Sequence, residues 1–284
     1  MASLRDLRRR IRSVQNTQKI TKAMELVAAA RMRRAQERVA ASRPYADEIT
    51  SIMVELMRRT PEYKHPFLEV RDVKRRVLIL ITTDRGLVGG LNSNNLRIAL
   101  RELNQSDVPV GVVTVGRKGR DVIRRLRRDL IADVSDLGFQ PHMGEVLPAA
   151  RVAMDQYESG EADQVDMVYA RFVSAGRQVA TLQRLIPVEP PEGAEPVAAD
   201  FEYEPEPKDV LDALLPRYVE GLVYHAVLEN IASEQAAKII AMRNATDNAG
   251  DLITDLSLTA NKVRQASITT ELMEIVGGAA ALEV

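Results

Sequence analysis

The chain has no cysteine and no tryptophan, and aromatics make up only 4% of its 284 residues. Without cysteine there is no disulfide, no thiolate metal site and no cysteine nucleophile. Few aromatics is unusual for a compact enzyme and common in long helices. Glycine is missing before Gly86, proline before Pro44, and proline again after Pro216. No apolar stretch approaches the ~20 residues of a membrane span. The formal net charge is only -1, so the chain as a whole is no nucleic-acid binder by charge.

The scarce breakers divide the chain into three segments, a helix, a mixed domain and a helix, placed at residues 1–60, 76–190 and 208–284. In the first, Leu4, Leu7, Ile11 and Val14 follow a 3-4 spacing, as do Ala28, Met32, Ala35 and Val39. That is a coiled-coil seam. Ser3 before Asp6 resembles a capping box with Asp in place of Glu. Gln18, Thr21 and Glu25 are polar at seam positions, and the apolar face is expected to move there to Ile20, Met24 and Val27. A helix running to about Met57 is a rod of roughly 80 Å at 1.5 Å per residue.

The last segment repeats the pattern. Leu228, Ala232, Ile239 and Met242 line one face; Ile253, Leu256, Ala260 and Val263 continue it past a weak point at Asn248-Ala249-Gly250. From Pro216 to Val276 this predicts a second rod of roughly 90 Å. Two such helices at opposite ends of a chain most simply pair antiparallel.

The middle alternates between apolar runs and amphipathic stretches. Strands are expected at Val77–Ile81, Val108–Val115, Ile131–Val134, Asp166–Val173 and Val179–Val188, with helices at Leu91–Leu103, Asp121–Leu130 and Glu145–Glu158. The alternation predicts a Rossmann-like parallel sheet with helices on both faces, and the last two strands an antiparallel edge.

The loop TTDRGLVGGLNSNN (Thr82–Asn95) sits where α/β proteins hold nucleotide phosphates. It has neither GxxxxGK[ST] nor GxGxxG, and Asn92, Ser93 and Asn94 are placed to cap the next helix. His65, His142 and His225 have no metal-site spacing, so neither a metal nor a cofactor is implied. Neither GxSxG nor HExxH is present. An enzyme with a nucleotide-binding α/β domain and a coiled-coil dimerisation arm stays open as an alternative. Residues 1–45 carry ten Arg and two Lys against three acids, and residues 187–212 nine acids against Lys208 alone. The basic arm has no aromatic before Tyr45 to stack on bases. Acidic protein loops therefore suit it better than nucleic acid. The N-terminus is also Arg-rich as transit peptides are, but its periodicity continues unbroken, which favours a helix.

Particular stretches are more specific than periodicity. SVQNTQKITKAMELVAAARMRRAQ (Ser13–Gln36), TDRGLVGGLN (Thr83–Asn92), EYEPEPKDVLDALLPRYVE (Glu202–Glu220) and SEQAAKIIAMRNATDNAGDLITDLSLTANKVRQASITTELMEIVGGAAAL (Ser233–Leu282) resemble the gamma subunit of F-type ATP synthases, over essentially the whole chain. The resemblance implies an α/β fold class, with a long antiparallel coiled coil of the terminal helices and a central α/β domain. It implies a central rotor shaft that carries proton-driven rotation of the c ring to catalytic sites on beta subunits. The shaft itself is non-catalytic and needs no cofactor. Partners are the alpha, beta and epsilon subunits and the c ring, with no transmembrane segment of its own. By the same resemblance Lys22, Met24, Arg85, Val88, Arg264, Gln265, Thr269 and Glu271 contact alpha and beta, and Arg43, Tyr45, Tyr203, Glu204 and Glu206 the c ring, with Arg43 and Tyr45 at a turn by Pro44. No Cys-bearing insertion of the chloroplast type and no cleavable leader are read, so the expected setting is the cytoplasmic face of a bacterial plasma membrane, peripheral to it.

Overall fold

A computed structural model describes residues 3–59, 65–189 and 206–282. They form two compact units, one of Met1–Ala28 with Ile239–Val284, the other of Ala29–Lys238. Two helices supply both units, α1 (Leu4–Arg59) and α5 (Pro207–Leu282).

In the first unit α1 and α5 lie antiparallel. Gln18 and Thr21 meet Thr246 while Glu25, further along α1, meets Arg243, nearer the start of α5. Leu7, Thr21, Glu25 and Ala28 are buried at the seam of α1, as are Met242, Ala249 and Ala260 on α5. The heptad phase thus continues through the polar positions. The expected shift of the apolar face does not occur: Ile20 and Val27 are 60% and 50% exposed. The physical reason is that the polar side chains find partners across the seam, so the helix need not rotate away from them.

The second unit is a three-layer α/β domain. Its elements are β1 (Arg76–Ile81), α2 (Leu91–Gln105), β2 (Val110–Val115), α3 (Arg117–Arg125), β3 (Leu130–Val134), α4 (Met143–Glu158), β4 (Gln164–Ser174) and β5 (Arg177–Ile186). The sheet runs β3-β2-β1-β4-β5. All pairs are parallel except β4 with β5. Alternation along β1 divides the core. Val77, Ile79 and Ile81 face Tyr157 of α4, Met53 and Leu56 of α1, and Leu215 and Val223 of α5. Leu78 and Leu80 face Ala99 and Leu103 of α2 and Ile123 of α3. The parallel sheet with its antiparallel edge is as expected.

Several local expectations are corrected. No turn breaks α1 at Pro44, which lies inside the helix, and α5 starts at Pro207 with Pro216 inside it. Proline removes one i→i−4 hydrogen bond, a loss that long flanking helix and packing on both sides tolerate. The basic helix is Arg117–Arg125 rather than 121–130. The Asn248-Ala249-Gly250 weak point stays helical, where a Cβ on Gly250 would come 3.2 Å from Gln18 Nε2. Glycine there permits close helix approach.

Candidate functional site: a polar coil layer and the loop after β1

The polar layer lies within the first unit. Glu25 accepts hydrogen bonds from Lys22 Nζ at 3.0 Å and Arg243 Nε at 3.2 Å. The carboxylate is 9% exposed while the two cations are 58% and 62% exposed. Lys22, and then Arg243, hold its pKa below the ordinary value against the opposing effect of burial. Next to it the hydroxyls of Thr21 and Thr246 are 2.7 Å apart, and Gln18 Nε2 donates to Thr246 O. Met24 is half-buried one position from this layer, and exposed Leu26 flanks it. A buried polar layer in a coil fixes register at a cost in stability.

Towards the end of α5 every residue from Arg264 to Val276 is exposed. Arg264, Gln265, Thr269 and Glu271 lie there together with the apolar side chains of Ile268, Leu272, Met273 and Ile275. Thr269 Oγ1 donates to Gln265 O, and Glu271 accepts from Ser267.

In the second unit the loop after β1 is tightly tied. Asn92 Oδ1 accepts from the Thr83 N–H at 3.1 Å and its Nδ2 donates to Thr83 Oγ1, which donates to Arg85 O. Asn92 therefore anchors the loop rather than capping α2. The N-cap is Gly90 with no side-chain bond, and Asn94 accepts from Arg97. Leu87 adopts φ 65° and is 62% exposed. Val88 is 3% exposed and packs with Leu91, Ala170 and Ala237. It is therefore packed within this chain, beneath the loop. Arg85 is exposed and has no ion pair among the described residues.

Beside the loop a cleft of about 270 Å³ is lined by Arg31, Arg85, Arg117, Gln235 and Lys238 among others. Two of its cations are already neutralised, Arg117 by Asp136 and Lys238 by Glu234, and Arg31 lies over the Phe139 ring at 4.7 Å. Arg85 is left as the cation offered outward.

The c-ring residues are placed less fully. Tyr203 and Glu204 lie outside the described residues, as do the side chains of Arg43 and Tyr45, while Glu206 is exposed just before α5. Among the described residues no His/Cys/Asp/Glu group has the arrangement to hold a metal, and no helix is long and apolar enough to cross a membrane. The residues that sequence reasoning missed are Thr246 and Arg243, the partners of the polar layer. Their signal was present: three polar α1 seam residues require polar partners on the opposing helix.

The two units are thus an antiparallel helical coil and a Rossmann-like α/β domain. The family model described as ATP synthase matches residues 3–282. The ATP synthase gamma chain of Dehalococcoides mccartyi strain CBDB1 is 51% identical, over 99% of this chain and 100% of that one. That of Acidithiobacillus ferrooxidans strain ATCC 53993 / BNL-5-31 is 47% identical over the same shares. The chain belongs to the ATP synthase gamma-chain family. Among solved structures, the Tetrahymena thermophila mitochondrial ATP synthase central stalk and c ring is similar at TM-score 0.62 and 28% identity, over 80% of this chain and 99% of that one. The Euglena gracilis mitochondrial ATP synthase in rotational state 3 shares the fold at TM-score 0.69 and 21% identity, over 98% and 94%.

Proposed function

We propose that this chain is the central rotor shaft of an F-type ATP synthase, coupling rotation of a c ring to ATP synthesis on partner beta subunits. The family membership and the likeness to a central stalk support this reading. The structural observation that carries it is the division of labour on the helix pair. The seam is closed by the chain's own side chains, Glu25, Thr21, Arg243 and Thr246 included, while Ile20, Leu26, Val27 and the run Arg264–Val276 are left outward. A coil that needed only to hold itself together would not keep so much apolar surface uncovered.

In this reading residues 1–60 and 208–284 serve as the shaft and 76–190 as its foot. The shaft is non-catalytic and works by contacting differently the several conformations of its partners. A rotor with equal affinity for each would shift no equilibrium. Lys22, Met24 and Arg85 face alpha and beta, Val88 supports the Arg85 loop, and Arg264, Gln265, Thr269 and Glu271 form a releasable contact near the tip. Arg43, Tyr45, Tyr203, Glu204 and Glu206 seat the foot on the c ring. The complex is membrane-associated, and its setting is the cytoplasmic side of a bacterial plasma membrane.

The test is co-purification of the tagged chain from cells expressing alpha and beta. Recovery of one stable complex containing all three is expected. A chain that elutes alone, with alpha and beta assembled without it, sinks the proposal.

A further inference from the structure

Asn95, Asn230 and Ser233 are 0%, 2% and 0% exposed, all within the α/β unit. Parallel pairing of β1 with β4 ends at Leu80 and Val168, whereas β4 continues beside β5 as far as Ser174. Beyond Val168 the β1 side of β4 has no neighbouring strand, and buried backbone groups there need other partners. Residues on α5 supply them. Asn230 Oδ1 accepts from the Ala170 N–H at 3.1 Å, and Ser233 Oγ donates to the Ala170 carbonyl at 2.9 Å. The two side chains are three residues apart, hence adjacent on one helix face. Together they replace the missing strand at one residue.

The same point gathers two more elements. Asn95 Nδ2, on α2, donates to Asn230 Oδ1 at 3.2 Å and to Ile81 O, at the end of β1, at 3.0 Å. This is the carboxyl end of the sheet next to the place where strand order reverses, the crevice in which doubly wound domains receive ligands. Here the chain's own helix fills it.

We propose that Asn230 and Ser233 are positioning residues, a latch that fixes the angular setting of α5 on the sheet and passes torque between them. The proposal rests on the rotor reading above. The apolar contacts around the latch, from Val227 and Ile231, are non-directional and tolerate sliding. Hydrogen bonds tolerate little misalignment, so the bonds to Ala170 and Asn95 admit one setting of the helix.

The experiment compares wild type, Asn230→Leu, Asn230→Asp and Ser233→Ala in the assembled ATP synthase. Amide exchange at Ala170 reads the latch directly. ATP hydrolysis and ATP-driven proton pumping in the same vesicles read its mechanical role. Loss of the Asn230 bond is expected to accelerate exchange of the Ala170 N–H about tenfold, whereas Ser233→Ala, which frees only the Ala170 carbonyl, is read by pumping. Asn230→Leu and Ser233→Ala should lower the protons pumped per ATP hydrolysed while uncoupled hydrolysis persists. Asn230→Asp keeps an oxygen facing both donors and should retain wild-type pumping. Faster Ala170 exchange with an unchanged pumping ratio overturns the latch and leaves these bonds a purely structural role. If Asn230→Leu does not assemble, Ser233→Ala, which removes one small hydroxyl, decides the matter alone. Failure of the wild-type chain to enter the complex or to pump would count against the rotor reading; wild-type pumping matched by both latch variants counts against the latch only.

Discussion

Replacing the Thr21–Thr246 pair by valines separates the energetic value of the polar layer from its geometric one. Thr21 is 8% exposed and its hydroxyl lies 2.7 Å from that of Thr246. Thr246 Oγ1 is also 2.8 Å from Met242 O, and Thr21 Oγ1 3.0 Å from Gln18 O. Two hydroxyls carry two protons, and one must occupy the 2.7 Å contact, since two bare oxygens would repel. Only one backbone carbonyl at a time therefore gains a hydroxyl bond. Thr21→Val alone removes the cross-seam bond, worth about 0.5–1.5 kcal/mol. A buried methyl in place of the hydroxyl returns up to about 0.8 kcal/mol. Each single variant should thus sit between neutral and about 1 kcal/mol destabilised. The Met242 and Gln18 carbonyls lie in helices, where a threonine hydroxyl bond to a carbonyl is near neutral for stability, so in the double variant the one bond that counts, across the seam, is lost once and both methyls are gained. It should be more stable than the sum of the singles by about 1 kcal/mol, within the coupling expected of residues in contact. The assay is urea unfolding of the full chain, followed by circular dichroism for all four proteins of the cycle. Coupling below about 0.3 kcal/mol, the level expected of independent sites, would refute the assigned bond. A more stable double variant would show that the layer is kept for register rather than strength, as buried polar positions in coiled coils are.

Other outcomes follow from particular side chains. Arg264→Ala with Gln265→Ala should leave helix and assembly intact, Ala being the best helix former, yet slow turnover of the assembled complex at saturating ATP; full-speed turnover would make these residues solvated surface. Gly116→Ala places a Cβ 2.3 Å from Thr82 O at φ 99°, and strain of that kind costs about 1–3 kcal/mol, so thermal unfolding should shift well below wild type. His65 is buried, its Nδ1 accepts from the Phe67 N–H at 3.0 Å, and burial lowers its pKa although Asp212 opposes the shift. The unfolded chain then binds a proton that the folded chain refuses, so stability should fall as pH drops below about 6.5, by up to ~1.4 kcal/mol per pH unit. Unfolding midpoints of wild type and His65→Asn across that range check the sign, and an equal acid slope in both would clear His65.

Both terminal helices and the parallel sheet with its antiparallel edge were legible because they rest on periodicity. The seam from Leu4 to Val39 keeps one heptad phase, and the alternation of apolar runs with amphipathic stretches fixes a parallel sheet. Proline misled where its local signal was outweighed: Pro44 and Pro216 read as boundaries, but both sit within helices. Polar residues at seam positions misled in the other direction. Gln18, Thr21 and Glu25 suggested a rotated apolar face, although Arg243 and Thr246 satisfy them in place. That Val88 is buried against Leu91, Ala170 and Ala237 has no trace in the glycine-rich loop around it. The Asn230–Ser233 latch had a readable trace, two small polar residues three apart between Val227, Ile231 and Ala236. What they bond to is set by where β1 stops, and no local pattern encodes that.

Rotation itself is the most direct measurement. The chain has no cysteine, so Asp107→Cys at an exposed position of the α/β domain gives a unique attachment point for a bead. With alpha and beta fixed to a surface and ATP supplied, the bead is expected to turn in one direction in steps and to stop when ATP is removed. A bead that stays at a fixed angle while the same complexes hydrolyse ATP would contradict the rotor reading.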